Sequence, residues 1–529
     1  MNLQMKGSFD MKKYKKYIPL LLFFLLTVFY FEYSVTILWD SAHYMSYVNI
    51  FEGSLPWNTW DVVRGPVFPF IIFVGNFLFG KTTQGLLMNS FCYYLLFLLF
   101  CYKVLCYFFN KINLKKTKVI ISAILFSIII NPFIYGFYHT LLTEYVAITL
   151  AILSSYLAIL WLDLNFSSQK KKYILYTIFF SLLTIFSWFL KQPYVSCGFF
   201  AMIIAYIISI FSYKNFKNFF IRSLSVLFCI CCLFLSINLW NFILISTGNN
   251  PNTTRNPSNS LGNQLISALD FVKIENTAEI YEQSYLNSLK FSKSERKLLK
   301  QHKKEYVVVN IYNNDKLIDS DYIETNDENV TSLQAVKYII NLFCKHPIKV
   351  LDSYVVNYLS LIDIYSATSD DGVYYNTKRQ LDFSSTTELE IIAYKPYHFG
   401  EDNIFYMLPN MRASVECYEQ KNFVNKFLNY AMIILGLVYK YIFKIIFLLL
   451  PIFLAISIIS RIKSKNKKEQ KFLNLSIVLF GFSFLHIMLH VITGAVIDRY
   501  AIPSFIPSYL GVILCVLFLI YKIYKKKLS

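Results

Sequence analysis

Long apolar segments constrain this chain more than any other feature of its sequence. An α-helix needs about 20 mostly apolar residues to cross the hydrocarbon core of a bilayer. Only 16% of the 529 residues are charged, whereas a soluble protein has about 25%. Because backbone polar groups in lipid must be hydrogen-bonded internally, each such segment predicts a helix. We therefore expect an all-α polytopic membrane bundle of about ten spans, at 17–38, 83–109, 119–137, 141–162, 173–190, 194–212, 219–246, 430–460, 472–494 and 500–521.

Basic residues cluster at alternate ends of these spans. The positive-inside bias assigns the clusters to the cytoplasm. Ten spans then place both termini in the cytoplasm, and we expect a multi-pass protein of the plasma membrane. The formal net charge of +19 thus reflects sidedness and does not indicate a nucleic-acid partner. The clusters lie within 12–16, 111–118, 170–172, 214–222, 461–471 and 522–527.

The polar segment 247–429 differs from these clusters in its charge balance. It contains 19 basic and 23 acidic residues, which predicts an extracytoplasmic domain of mixed or mostly helical structure. The domain separates an N-terminal transmembrane module, 1–246, from C-terminal transmembrane helices, 430–529. Its two cysteines, Cys344 and Cys417, leave a disulfide open because no spacing rule links them.

Residues 75–82 read GNFLFGKT and match the phosphate-loop pattern of ATP-binding proteins. A true phosphate loop follows a buried strand and opens a helix within an α/β domain. Here the match ends a 15-residue apolar segment, 66–80, which contains two prolines and is short for a span. We expect that segment to be a helix lying in the outer interface, which places the match outside the cell. The sequence therefore predicts no ATP site.

The short outer loops carry the ionisable residues that lie closest to the apolar spans. Such residues are costly near lipid and are candidates for function by default. The simpler interpretations are a helix-capping carboxylate for Asp40 and contacts with lipid headgroups for Lys191 and Arg499. The candidate set is Asp40, Tyr44 and Arg64 in the first outer loop 39–82, His139 and Glu144 in the second, Lys191 in the third and Arg499 in the last.

Carboxylates and cations at one membrane depth are what transfer from a phosphorylated lipid requires. A carboxylate can take the proton of an attacking hydroxyl, which contributes about 10²- to 10⁴-fold in rate. Cations stabilise the phosphate that leaves, and the planar guanidinium of arginine can bind two of its oxygens.

These residues resemble the motifs of the GT-C superfamily of integral-membrane glycosyltransferases, in the branch of protein O-mannosyltransferases and lipid A aminoarabinose transferases. The family typically has Asp-Glu-Ala-x-Tyr after its first span, and residues 40–44 read DSAHY. A basic residue and proline then precede an interfacial helix ending in Phe-Gly, matched by RGP at 64–66 and FG at 79–80. A later acidic loop and a closing Arg-Tyr-x-x-Pro are matched by LTEY at 142–145 and RYAIP at 499–503.

The resemblance covers about 1–250 and 430–529 and implies roles for three residues. It implies that Asp40 is the general base and that Arg64 is a ligand of the donor phosphate. It implies that Glu144 positions the acceptor or a metal, which leaves a divalent cation open as a cofactor. Ser41 replaces the common second acid and Gly65 replaces the first proline, so metal dependence and acceptor choice do not carry over.

The resemblance favours transfer of a sugar from a polyprenyl-phosphate donor to a glycan, lipid or protein hydroxyl on the outer face, with inversion at the sugar. The alternatives are a lipid or polysaccharide transporter or flippase, and a scaffold whose outer domain binds a partner. Transporters usually carry repeated halves and polar sites at the midplane, neither of which the sequence shows. His486 and His490, four residues apart, also leave half of a metal site open.

The predicted sidedness can be tested with introduced cysteines. A cysteine at Ile112 lies in a basic loop and should resist an impermeant thiol reagent in intact cells, whereas one at Asn314 should react. Labelling is measured against the unsubstituted chain. The reverse pattern would invert the topology.

Overall fold

The computed structural model describes most of the membrane part and several stretches of the polar segment. The described residues are 27, 30–31, 39–60, 64–111, 117–212, 216–249, 257–275, 305–313, 316–325, 330–362, 423–494 and 498–528. Of the first predicted span, 17–38, only residues 27, 30 and 31 are described. Cys417 lies outside the described residues. Cys344 is an exposed free thiol.

The described part of the chain is mostly helical, as the apolar segments predict. Eight of its helices are long and apolar enough to cross a membrane, which confirms a multi-pass helical protein. The helices are α1 (Trp39–Phe51), α2 (Val67–Phe79), α3 (Thr83–Lys111), α4 (Thr117–Ile129), α5 (Pro132–Tyr138), α6 (Glu144–Asp163), α7 (Phe166–Leu190), α8 (Val195–Ser212), α9 (Phe216–Ser246), α10 (Pro257–Ser267), α11 (Ser332–Lys345), α12 (Pro347–Ile362), α13 (Phe423–Lys463), α14 (Lys467–Ile492) and α15 (Ile502–Leu528).

The expected single span at 119–137 is broken in the structure. Helix α4 ends at Ile129 and α5 begins at Pro132, with Asn131 buried between them. Proline has no backbone N–H to donate to the preceding turn, and it disfavours helical geometry in the residue before it. Apolar composition therefore did not guarantee one continuous helix, and neither piece is long enough to cross a bilayer alone.

Two helices form the centre of the bundle. Helix α6 packs against α3, α7, α8 and α15, and α14 packs against α8, α13 and α15. Their interiors carry small residues, and the hydroxyls of Ser154 and Ser155 donate back to the carbonyl of Ala151. In lipid, burying apolar side chains does not drive helices together, because lipid tails are equally apolar. Small residues stabilise the contact instead, because they let the helix backbones approach closely.

Arg222 joins α9 to the far end of α6. Its guanidinium is 3% exposed and donates to the carbonyl oxygens of Leu162 and Leu164, at 3.3 and 3.0 Å. It also lies 4.3 Å from the ring centroid of Trp161. A cation there satisfies carbonyls that the end of a helix leaves unbonded and complements the negative end of the helix dipole.

The described part of the polar segment combines a sheet with helices, so its structure is mixed. Strands β1 (Val272–Glu275), β2 (Glu305–Asn313) and β3 (Lys316–Thr325) form an antiparallel sheet in that order. Its inward side chains pack against α10, α11 and α12. Burial, and the neighbouring carboxylate of Asp321 that accepts its hydrogen bond, raise the pKa of Tyr338.

Helix α12 attaches this domain to the bundle. The side-chain amide of Asn357 donates to the carbonyls of Ala268 and Val491, at 2.7 and 3.3 Å, and Tyr358 donates to the carbonyl of Phe447 at 2.6 Å. Ile362 is buried in the core of the bundle. The segment is therefore seated on the end of α14 and against the middle of α13.

The contacts of Arg222 predict a specific loss of stability. Arg222→Lys keeps the charge but loses the planar group that stacks on Trp161 and reaches two carbonyls. We expect a cost of about 1–3 kcal/mol, seen as a lower apparent Tm of the detergent-solubilised chain. Lys118→Arg, at an exposed position, is the control. An unchanged Tm for Arg222→Lys would contradict the proposed role of the guanidinium.

Candidate functional site

Four connections between helices meet at one end of the bundle, which we call the Glu144 end. Helix α6 begins there, α7 returns to it before the turn Gln192–Tyr194, and α14 reaches it before the turn Asp498–Ala501. The first connection, carrying α1 and Arg64, packs on the same end.

Ser41 fastens α1 to the start of α6. Its buried hydroxyl donates to the carbonyl oxygen of Leu141 at 2.7 Å, across 100 residues of sequence. Leu141 is three residues before Glu144, so the backbone of Asp40 lies beside the loop that leads into α6. The side chain of Asp40 is outside the described part of the structure.

Arg64 is held beside Tyr44 and the second connection. The indole N–H of Trp60 donates to the carbonyl oxygen of Arg64 at 2.8 Å, and the guanidinium carbon lies 5.1 Å from the ring centroid of Tyr44. The Tyr44 ring meets Phe68 edge-on at 4.8 Å, and Phe68 meets Tyr145 at 5.6 Å. A continuous row of aromatic rings therefore connects Arg64 to the residue after Glu144.

Glu144 is wholly buried in the first turn of α6. Its Oε2 accepts a hydrogen bond from the hydroxyl of Thr143 at 3.2 Å. A negative charge is favoured at this position because the N-terminal end of a helix carries the positive end of its dipole. The structure thus provides a carboxylate shielded from lipid, a few residues from the contact that holds α1.

Gly65 brings the Arg64 loop against the end of α7. A Cβ atom at this position would lie 2.0 Å from the carbonyl oxygen of Phe189, well inside contact distance. Only glycine lets the two backbones approach this closely. Phe189 is two residues before Lys191, so the close approach sets Arg64 and Lys191 on neighbouring connections.

Lys191 contacts the last connection. Its ammonium nitrogen lies 5.0 Å from the ring centroid of Tyr500, a cation–π contact. Arg499 belongs to the same short helix, Asp498–Ala501, but its side chain is outside the described part of the structure. The structure therefore describes the side-chain position of Lys191 and not that of Arg499.

His139 is committed to backbone contacts. It is wholly enclosed, with Nδ1 2.9 Å from the carbonyl oxygen of Tyr135 and Nε2 2.9 Å from that of Tyr30. A neutral imidazole donates one of these bonds and an imidazolium donates both. These contacts hold the segment before α6, and the predicted role in substrate binding remains a prediction.

His486 and His490 differ although both are completely buried. His486 has Nδ1 2.5 Å from the hydroxyl oxygen of Ser196 and Nε2 2.7 Å from the carbonyl oxygen of Tyr500. Both nitrogens are therefore engaged, and no cluster of three metal-binding side chains occurs among the described residues. His486 joins α14 to α8 and to the last connection, so half of a metal site is not its best interpretation.

The phosphate-loop match does not have the structure of a phosphate loop. Residues 75–79 form the end of α2, and Gly80 closes that helix with a φ of 87°. Lys81 forms an ion pair with Glu52 at 2.5 Å. The lysine is thus paired with an acid at the surface, and a helix occupies the place of the strand that the motif needs.

Charged and aromatic side chains share the Glu144 end. Arg64 and Lys191 carry positive charge and are half-buried, Glu144 carries a buried carboxyl group, and aromatic rings lie beside Arg64 and Lys191. Sequence reasoning identified these ionisable groups from their position near spans. It missed Ser41, Gly65 and Tyr500 as the residues that join the connections, because their importance lies in contacts across about 100 residues or more.

The close approach at Gly65 gives a stability prediction. Gly65→Ala should lower the apparent Tm, by the equivalent of about 1–3 kcal/mol or more, because the new methyl group meets backbone atoms that have no rotamer to change. Gly481→Ala is the control, since its nearest neighbour is the flexible end of Ile204 at 2.9 Å. Equal small effects of the two variants would rule out the tight contact.

Comparison with known proteins found no matching family model, no matching curated protein and no matching solved structure. The function of the Glu144 end must therefore be argued from its own residues.

Proposed function

We propose that the chain is a membrane glycosyltransferase that moves a sugar from a polyprenyl-phosphate donor to a hydroxyl acceptor at the Glu144 end. The observation that supports this most is the convergence of Arg64, Lys191 and Glu144 on connections that contact one another. Cations and carboxylates grouped at the end of a membrane bundle suit a substrate that has a charged head and a lipid tail.

The cations have a role in departure of the donor. When the bond between the anomeric carbon and the phosphate oxygen breaks, the electron pair remains on the phosphate of the carrier lipid. Arg64 is suited to this anion because its planar group can bind two oxygens. Lys191 supplies a second positive charge, and both stabilise charge that increases in the transition state.

The carboxylates have a role in the attack. In this proposal Asp40 accepts the proton of the acceptor hydroxyl while its oxygen bonds to the anomeric carbon from the opposite side. The hydrogen bond from Ser41 to Leu141 supports this assignment because it holds the backbone next to Asp40 at the loop before α6. Glu144 would orient the acceptor or bind a divalent cation.

The assignment of Asp40 predicts loss of transfer without loss of folding. Asp40→Asn keeps the shape of the side chain but removes the base, so transfer should fall about 10²- to 10⁴-fold. Asp352→Asn, an exposed carboxylate on α12, is the matched control. Each variant is expressed in cells lacking the protein, and cell-envelope glycans and lipid-linked sugars are measured by mass spectrometry.

The same measurement separates transfer from transport. A transferase defect should remove one sugar from a product and cause its lipid-linked donor to accumulate. A missing product that returns fully with Asp40→Asn would exclude Asp40 as the base. A carrier lipid that accumulates only on the cytoplasmic face would instead support a flippase.

A further inference from the structure

We infer that His490, together with Lys191, binds the phosphate group of the donor lipid. This inference rests on the proposed function, because it names a ligand for the same end of the bundle. The evidence is the buried side chain of His490 and the position of Lys191, which contacts the same Tyr500 ring.

His490 is enclosed at 0% exposure, and neither ring nitrogen has a hydrogen-bond partner among the residues that the structure describes. Buried polar groups are nearly always hydrogen-bonded, since burying one without a partner is costly. A histidine that is kept in this state inside a membrane bundle is poised for a ligand that the structure does not contain.

His486 is an internal comparison one helical turn away. Both histidines lie near Tyr500 on the same face of α14, with their ring centroids 4.8 Å apart. His486 uses both nitrogens to hold Ser196 and the backbone of Tyr500. The structural task in this region is therefore already performed by His486.

Tyr500 places His490 next to a cation. The imidazole of His490 stacks on the Tyr500 ring, with centroids 5.1 Å apart and planes 24° apart, and the ammonium of Lys191 lies 5.0 Å from the same ring. Gly65 packs against Phe189, two residues before Lys191. The loop that carries Arg64 therefore lies beside the connection that carries Lys191.

These groups fit a phosphate better than a neutral ligand. An imidazole N–H and an ammonium group both donate to anionic oxygens, and such charge-assisted hydrogen bonds are the strong ones. The second imidazole nitrogen can accept from a hydroxyl of the phosphate or of the sugar next to it. A phosphate at this position would satisfy His490 and remain in the field of Lys191.

The test compares His490→Phe with His486→Phe in the full-length chain, reconstituted in phosphatidylcholine nanodiscs. The probes are a polyprenyl phosphate and, separately, inorganic phosphate, with binding followed by tryptophan fluorescence. The apparent Tm of each variant is recorded without a probe.

His490→Phe should weaken binding of the polyprenyl phosphate about tenfold or more, the effect of losing one hydrogen bond to a charged group. Its Tm without ligand should be unchanged or higher, because an apolar ring replaces an unbonded polar one. His486→Phe should lower the Tm, because it leaves a hydroxyl and a carbonyl without their partner. Lys191→Met should also weaken binding of the polyprenyl phosphate, because it removes the positive charge beside the Tyr500 ring.

Unchanged binding by a folded His490→Phe protein would overturn the inference, as would a fall in Tm equal to that of His486→Phe. Binding of inorganic phosphate with no preference for the lipid would overturn the assignment to the donor. If His490 binds the lipid phosphate and no sugar transfer occurs, the inference stands and the proposed function fails. If transfer occurs with a KM that His490→Phe leaves unchanged, the function stands and the inference fails.

Discussion

Hydrogen bonds from polar side chains to backbone carbonyls of distant segments hold this bundle together. Lipid cannot satisfy a carbonyl that a helix end or a broken helix leaves unbonded, so the protein must do so. Ser41 does this for Leu141, Arg222 for the last turn of α6, and His486 for Tyr500. Each bond also fixes one helix against another, which apolar packing alone does weakly in a membrane.

This constraint explains why the candidate site lies where it does. Connections between spans are the places where backbone groups are unbonded, and polar side chains collect there to bond them. Some of the polar side chains at the Glu144 end bond these backbone groups, and others there can bind a ligand. His486 and His490 illustrate the two uses within one helical turn, because the first is engaged at both nitrogens and the second at neither.

The sequence predicted the helical bundle and most span positions because composition and length determine what can enter lipid. The division at 247 and 430 stays a prediction. The prediction of one span at 119–137 was wrong, since the break at Asn131 depends on Pro132. Glu144, Arg64 and Lys191 could be named from the sequence because charge near an apolar segment is conspicuous, and their roles stay predictions.

Sequence alone determined that the chain is a membrane protein, since no arrangement of these apolar segments could be stable in water. Only the tertiary structure decided which connections touch. The approach of Gly65 to Phe189, the bond from Ser41 to Leu141 and the contact of Lys191 with Tyr500 join residues about 100 to 300 positions apart. Such contacts follow from how helices pack, and packing depends on the shapes of many side chains at once rather than on any local pattern.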